Sequence, residues 1–346
     1  MIVLGIETSC DETSCAVVEL DGKGEIKNIS RKILSSSVIS QDVHSLYGGV
    51  VPELASRAHL KFLPRVLEKS LRDAKISIKD IDIVSVVSEP GLPGSLIVGL
   101  NFAKGIAQAL SKKIVTVNHI ESHLLSGFLE HKFDFPFIGL VVSGGHTSLY
   151  LAESFGRYTL IAKTLDDAAG EVFDKVAKFF RLGYPGGPII DKISKTVNKS
   201  KVEINFPKTT TSDFSFSGLK TAVIRAAESW TGVLPIFEFI SSFQSRVIKE
   251  LLERTFGAVD GYKIKNLAVT GGVARNSELR KEFSDTAEKK GVNLFIPSPS
   301  LCTDNAAQVA FVGGLYALEN KFSELNADVK PTGILKAKGG IGIRIG

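Results

Sequence analysis

A chain of 346 residues exceeds what one hydrophobic core usually fills, so two lobes are expected. Its 44% apolar and 23% charged residues are ordinary for a globular protein, and no run of 18 apolar residues exists, which excludes a membrane-spanning helix. The net charge of +5 permits a polyanionic partner without requiring one. Residues 2–7 open the chain as an apolar strand that places an acid at Glu7, not as a signal peptide. A polar turn, Thr8 to Ser14, leads to a second strand over 15–20, and residues 26–38 read as a third. A loop at Gly48-Gly49-Val50-Val51-Pro52-Glu53 precedes a helix over 55–74. A buried Val/Ile strand over 81–88 ends at Glu89-Pro90-Gly91-Leu92-Pro93-Gly94, and Ser95 starts a helix to about Leu110. The strand 114–117 runs directly into a helix at His119. Alternating strands and helices predict an α/β layered fold.

Phe137 restarts the programme, with strands over 138–142 and 147–153 around Ser143-Gly144-Gly145-His146. Leu4 to Glu19 lies over Ile138 to Glu153 without a gap, and five of the 16 positions are identical, among them Gly5/Gly139, Ser9/Ser143 and Thr13/Thr147. Two hydrophobic hairpins match partly by chance, but here the polar turn also falls in the same place. This predicts a duplicated architecture, with lobes over 1–131 and 132–346 and the last helices able to pack back on the first lobe. Further on, helices follow Asp166 to Glu171 and Pro188. A strand over 264–269 ends at Thr270-Gly271-Gly272, a helix follows, and a last strand over 293–296 precedes a helix at Asp304. The three cysteines, Cys10, Cys15 and Cys302, are an odd number at scattered positions and fit reduced thiols in a cytosol.

His119 and His123 stand four residues apart, on one face of a helix, close enough to share one metal ion. Either could instead cap the helix or face solvent, and Asp304 could be an N-cap or a third ligand. Two imidazoles and a carboxylate suit iron, zinc or manganese and leave positions open for substrate oxygens. The spacing is not the metalloprotease H-E-x-x-H. Glycine turns at Ser143–Thr147, Pro185–Pro188 and Thr270–Gly272 could be plain tight turns or phosphate cradles, and their recurrence favours a nucleotide. None matches a P-loop or G-x-G-x-x-G. Asp11 and Glu12 crown the first turn, where they either bond local N–H groups or act on a reacting group or metal. Asp174 and Asp191 are placed at helix starts, to hold a ribose or to complement the helix dipole. Lys192, Lys195, Lys199 and Lys201 form either a solvated surface or an RNA phosphate stripe.

Several long motifs carry a resemblance: Gly5-Ile6-Glu7-Thr8-Ser9-Cys10-Asp11-Glu12-Thr13, Tyr47 to Arg57, His119 with His123, Ser143 to Thr147, Asp166 to Asp174, Phe214 to Lys220, and Cys302-Thr303-Asp304-Asn305. From Met1 to about residue 320 the chain resembles the universal tRNA threonylcarbamoyltransferase family, in its bacterial form without a kinase extension. The resemblance implies the ASKHA fold of actin, chaperone ATPases and sugar kinases, two RNase H-like lobes around a nucleotide cleft. It implies transfer of a threonylcarbamoyl group from threonylcarbamoyl-AMP to N6 of the adenosine 3′ of the anticodon in tRNAs reading ANN codons. Metal ligands carried over by motif are His119, His123 and Asp304, with Fe2+ or Zn2+ as the ion. Nucleotide contacts carried over are Val142, Ser143, Gly144, Gly145, His146, Asp174, Gly187, Asp191 and Asn276, with ATP, ADP or AMP as further occupants. Asp11 and Glu12 are the candidates to orient the amine or the threonyl end. Implied partners are tRNA, the ASKHA-fold protein TsaB, the P-loop ATPase TsaE and the threonylcarbamoyl-AMP synthase TsaC, in the cytoplasm and without a membrane. Two rivals remain: a small-molecule kinase of the same fold and a nucleotide-controlled scaffold. The two histidines disfavour both, since phosphotransfer in such folds uses Mg2+ held by carboxylates and phosphates.

Overall fold

Ile2-Val3-Leu4-Gly5-Ile6 is an unbroken apolar run, as a strand buried on both faces requires, and it forms the central strand of a five-stranded sheet. The computed structural model describes residues 1–197, 202, 204, 206, 207, 211–333 and 335. These form two units, Met1–Phe133 with Thr303–Leu335, and Asp134–Cys302.

In the first unit, β1 (Ile2–Glu7), β2 (Glu12–Asp21), β3 (Ser30–Ser40), α1 (Pro52–Ala74), β4 (Ile83–Glu89), α2 (Pro93–Ala109), β5 (Lys113–Asn118) and α3 (His119–Leu125) follow in chain order. The sheet order is β3-β2-β1-β4-β5, with β1 antiparallel to β2 and parallel to β4. The first turn is shorter than the sequence pattern predicts, because β3 extends to Ser40 and pairs it with Glu12. A 3-10 turn over Ile26–Asn28 delays the start of β3 to Ser30. Helix α1 starts at Pro52 and α2 at Pro93, because a first-turn proline lacks only an N–H that has no helical partner. Leu4 and Ile6 join a core with Leu63 and Val66 of α1 and Leu100 and Ala103 of α2. Side chains alternate along a strand, so Val3 and Gly5 face the other way.

The second unit contains β6 (Phe137–Val142), β7 (Thr147–Ser154), β8 (Arg157–Lys163), α4 (Ala169–Phe179), α5 (Gly186–Ser194), α6 (Ser217–Glu228), α7 (Ile236–Tyr262), β9 (Asn266–Thr270), α8 (Ser277–Lys290), β10 (Asn293–Phe295) and α9 (Pro299–Cys302). The sheet order is β10-β9-β6-β7-β8. The long α7 lines the core with Phe239, Phe243, Val247 and Leu251.

The duplication read from the sequence is present in the strand register. Gly5 opposes Ala16 in the first hairpin, and Gly139 opposes Tyr150 in the second. Glu7 opposes Ser14, and the equivalent Val141 opposes Ser148. In each unit the first strand also takes a parallel partner, β4 or β9, on its other edge.

After α9 the chain returns to the first unit as α10 (Ala306–Leu318), buried along nearly its whole length. It lies on the sheet face opposite α1 and α2. A Cβ at Gly5 would stand 2.1 Å from the Ala306 carbonyl oxygen, and one at Gly313 would stand 2.0 Å from Ser85 Oγ. Glycine is therefore required for this helix to touch the strands. Ser14 Oγ accepts from Ala306 N, and Ser85 Oγ donates to Val309 O, which pins α10 in register.

Candidate functional site

The metal-ligand candidates come together in the first unit. Asn118 ends β5, and its side chain accepts from the backbone N–H groups of Ile120 and Glu121. That cap starts α3 at His119, so His119 and His123 share one face. The capping role open to Asp304 falls to Asn305, whose Oδ1 accepts from Ala307 N and Gln308 N. Asp304, one residue earlier, is left to face the histidines. Its Oδ1 lies 2.9 Å from His123 Nε2 and 3.8 Å from His119 Nε2. One ligand atom from each of the three residues lies within 4.8 Å of the others. Both histidines are buried.

The arrangement fits a divalent cation. His119 Nδ1 lies 3.1 Å from Glu7 Oε2 and 3.1 Å from Ser9 Oγ, so a carboxylate fixes the ring and its tautomer and leaves Nε2 for a ligand. Glu7 is itself held, accepting from Ser9 N at 2.5 Å. His123 lacks this support: its Nδ1 is buried without a hydrogen-bond partner. Glu7 and Ser9 belong to the first motif of the resemblance, but the sequence pattern assigns neither a role. Their signal is an acid that closes an otherwise apolar strand and is 1% exposed.

Acidic groups crowd this end of β1. Burial, then the charges of Asp304 and Asp11, push the Glu12 carboxyl well above the usual range. Burial and the same two carboxylates push up the Cys10 thiol. Burial alone would disfavour a charged His119, but Asp304 and Glu7 outweigh it and hold the imidazole at about 9. Metal uptake must displace that proton. Affinity is therefore expected to rise about tenfold per pH unit below pH 9 and to level off above it. Chelator competition between pH 7 and 10 measures this, and a flat profile contradicts it. Without metal the sign is opposite. The raised His119 stabilises the fold fully below pH 6.5, and that contribution is lost as pH rises through about 9.

The nucleotide candidates lie in the second unit, around the carboxyl ends of β6 and β9, where ligands of open α/β sheets bind. Val142 ends β6, and the Ser143–His146 turn follows, closed by Ser143 N donating to His146 O. A Cβ at Gly144 or Gly145 would meet nothing within 4 Å, so both present bare backbone. Gly271 takes a φ of +95°, and a Cβ there would stand 2.3 Å from the Val142 oxygen. This brings the Thr270–Gly272 turn against the first one. Gly170, in the first turn of α4, donates to Ser143 O, so a helix N-terminus borders the same turn.

Asp174 and Asp191 are not at the starts of their own helices. Asp174 lies inside α4 and accepts from Gly186 N, the first residue of α5. Asp191 lies inside α5 and accepts from Ser277 N, the first residue of α8, while pairing with Lys195. Each thus binds the start of a later helix, α5 for Asp174 and α8 for Asp191, which the sequence pattern cannot show because the partners are distant. Asn276 is the N-cap of α8, accepting from Leu279 N and donating to Gln244 Oε1. Gly187, beside Gly186 in α5, would have open space around a Cβ. Lys192 and Lys195 are exposed, whereas Lys199 and Lys201 lie outside the described residues. The Phe214–Lys220 motif is tied down by Asp166, which accepts from Phe216 N, and by Asp167, which pairs with Lys175 and Lys220. Burial opposes the Asp167 charge, but hydrogen bonds from the two lysines hold its carboxyl down at about 2.

Known proteins resemble this chain in fold and in sequence. The fold occurs in the activator of 2-hydroxyisocaproyl-CoA dehydratase from Clostridium difficile, solved with bound ADPNP. That match has a TM-score of 0.54 at 15% identity and covers 92% of this chain and 97% of that one. HypF of T. kodakarensis matches with a TM-score of 0.60 at 16% identity over 91% of this chain and 47% of that one. Likeness at this identity speaks for the fold alone, which is the ASKHA fold. The tRNA N6-adenosine threonylcarbamoyltransferase of Dictyoglomus turgidum is 49% identical over 321 residues, 90% of this chain and 92% of that protein. The protein of the same name from Geotalea uraniireducens is 47% identical, with 96% of each chain covered. The family model TsaD, described as tRNA N6-adenosine threonylcarbamoyltransferase, matches residues 32–311. With that match and these relatives, the chain belongs to the TsaD family of tRNA N6-adenosine threonylcarbamoyltransferases.

Proposed function

We propose that this protein transfers the threonylcarbamoyl group of threonylcarbamoyl-AMP to N6 of the adenosine 3′ of the anticodon in tRNAs reading ANN codons. The observation that carries the proposal is the convergence of the buried His119 and His123 with the half-buried Asp304 in a chain of this family.

His119, His123 and Asp304 would hold one Fe2+ or Zn2+ ion, with Glu7 and Ser9 orienting His119. When bound, the ion supplies Lewis-acid polarisation of carbonyl and phosphate oxygens. The Ser143–His146 turn receives the phosphate of the adenylate on its bare backbone, with the α4 N-terminus favouring negative charge. Val142, Asp174, Gly187, Asp191 and Asn276 shape the surroundings of the nucleotide, and ATP, ADP or AMP would occupy the same place. The N6 amine attacks the carbamoyl carbon, the bond from that carbon to the phosphate oxygen breaks, and AMP leaves as the amine loses a proton. So weak a nucleophile gains more from positioning than from a strong base. Asp11 and Glu12 are assigned to orienting the amine or the threonyl end. The target base leaves its stack to react.

TsaB, TsaE and TsaC are proposed as partners, with α1 and α2 as the docking surface. No helix among the described residues is long and apolar enough to cross a membrane, and a cytoplasmic site of action is proposed. The test combines purified protein, proposed partners, threonylcarbamoyl-AMP and unmodified tRNA, with nucleosides read by mass spectrometry. Threonylcarbamoyladenosine next to the anticodon is expected. Phosphorylation of a small molecule instead, or nucleotide binding without product, would overturn the assignment.

A further inference from the structure

Glu121 sits between the two ligand histidines in sequence but points away from the site they form. Two residues from each along a helix, it lies on roughly the opposite face. It is 2% exposed, and its two oxygens share the single proton of the Tyr316 hydroxyl, at 2.9 and 3.0 Å from Oη. Tyr316 lies near the end of α10 and is also buried.

The two helices joined by this contact are the ones that set the three ligands. Helix α3 carries both histidines on only seven residues. Asp304 stands two residues before α10 begins. The position of α10 on the sheet is fixed independently, by the glycine contacts at Gly5 and Gly313 and by the bonds to Ser14 and Ser85. Asn118 fixes where α3 starts but leaves its rotation against α10 to side-chain contacts. A buried carboxylate is a costly way to fill space, and an apolar pair would pack as well. What the Glu121–Tyr316 contact adds is direction: one charge-assisted hydrogen bond, shared between the two carboxylate oxygens, that holds α3 at one angle.

We infer that Glu121 and Tyr316 are positioning residues that set the rotation of α3 and so hold His119 and His123 on the ligand face opposite Asp304. The inference rests on the proposed metal centre. Its test is cobalt(II) binding to the full-length protein, measured by chelator competition and by the cobalt d–d absorption spectrum, without reference to activity. Tyr316→Phe keeps the ring and removes the hydroxyl. Glu121→Gln keeps an acceptor for that hydroxyl and loses the charge. Tyr316→Phe is expected to weaken cobalt binding about ten- to a hundredfold and to shift the spectrum, as losses of supporting hydrogen bonds around metal ligands do. Glu121→Gln is expected to retain most of the affinity. The double variant should bind no more weakly than Tyr316→Phe alone, because both act through one contact.

His119→Ala separates the two levels. If wild-type cobalt binding depends on His119 while Tyr316→Phe leaves affinity and spectrum unchanged, the positioning role is overturned and the metal centre stands. A loss of melting temperature alone in Tyr316→Phe, at unchanged affinity, overturns it equally, since that is what mere packing predicts. If cobalt binding does not depend on His119, the metal centre falls and the positioning role with it.

Discussion

His119→Ala is expected to abolish transfer, lowering the rate about a thousandfold or more while the protein stays folded. The ion is asked for several kcal/mol of transition-state stabilisation, and each 1.36 kcal/mol is worth about tenfold. The fold should survive the loss of the His119 contacts to Glu7 and Ser9 because the neighbouring helices have anchors of their own. Asn118 still caps α3, and α10 is still held on the sheet by Ser14 and Ser85. Bound metal should fall from one equivalent to near zero in the same preparation. A His119→Ala protein that keeps wild-type turnover after metal depletion would remove the ion from the reaction. Transfer in these variants needs to be read beside circular dichroism, so that loss of function is not mistaken for loss of fold.

Gly5→Ala should have the largest effect on stability, at a residue that touches no ligand. The added Cβ would stand 2.1 Å from the Ala306 carbonyl oxygen and 2.7 Å from Ala310 N. Both are backbone atoms, so no side chain can rotate away and α10 must move. Overpacking of this kind costs about 3 kcal/mol. For a unit of this size that lowers the melting temperature by about 6–12 °C. The displaced part of α10 is its first turn, next to Asp304, so metal affinity should fall as well. Gly105→Ala is the control. A Cβ there meets nothing within 4 Å, and the residue lies inside α2. It should stabilise by about 0.4–1 kcal/mol through the unfolded chain. Equal melting temperatures for Gly5→Ala and wild type would contradict the packing described for α10.

The parts legible in the sequence were those set by local spacing. The histidine pair follows from a strand that runs straight into a helix. The duplication follows from matching a strand–turn–strand against itself, and the two hairpins share one register. What stayed hidden depends on partners far along the chain. Asp304 reads equally as an N-cap or as a third ligand, and only the fold shows Asn305 taking the cap. Asp174 and Asp191 look like partners of their own helix starts, yet Asp174 serves the start of α5 and Asp191 that of α8. Glu7 reads as the last residue of a strand, and only the fold brings it to His119, far along the chain. The pairing of Glu121 with Tyr316 has no sequence signal at all, because the two are 195 residues apart. Helices α6 and α7 were not among the expected elements, although Phe239, Phe243, Val247 and Leu251 recur every four residues along α7 and fill the second core.

The most direct test of the central claim is a metal titration read as transfer. Wild-type protein is stripped of metal and supplied with threonylcarbamoyl-AMP, unmodified tRNA and the proposed partner proteins. Fe2+ or Zn2+ is then added in steps while threonylcarbamoyladenosine is counted by mass spectrometry. The account predicts no product without metal, a rise that saturates at one equivalent, and no rise in His119→Ala. Full product from the stripped wild-type protein, or equal restoration of His119→Ala, would contradict it.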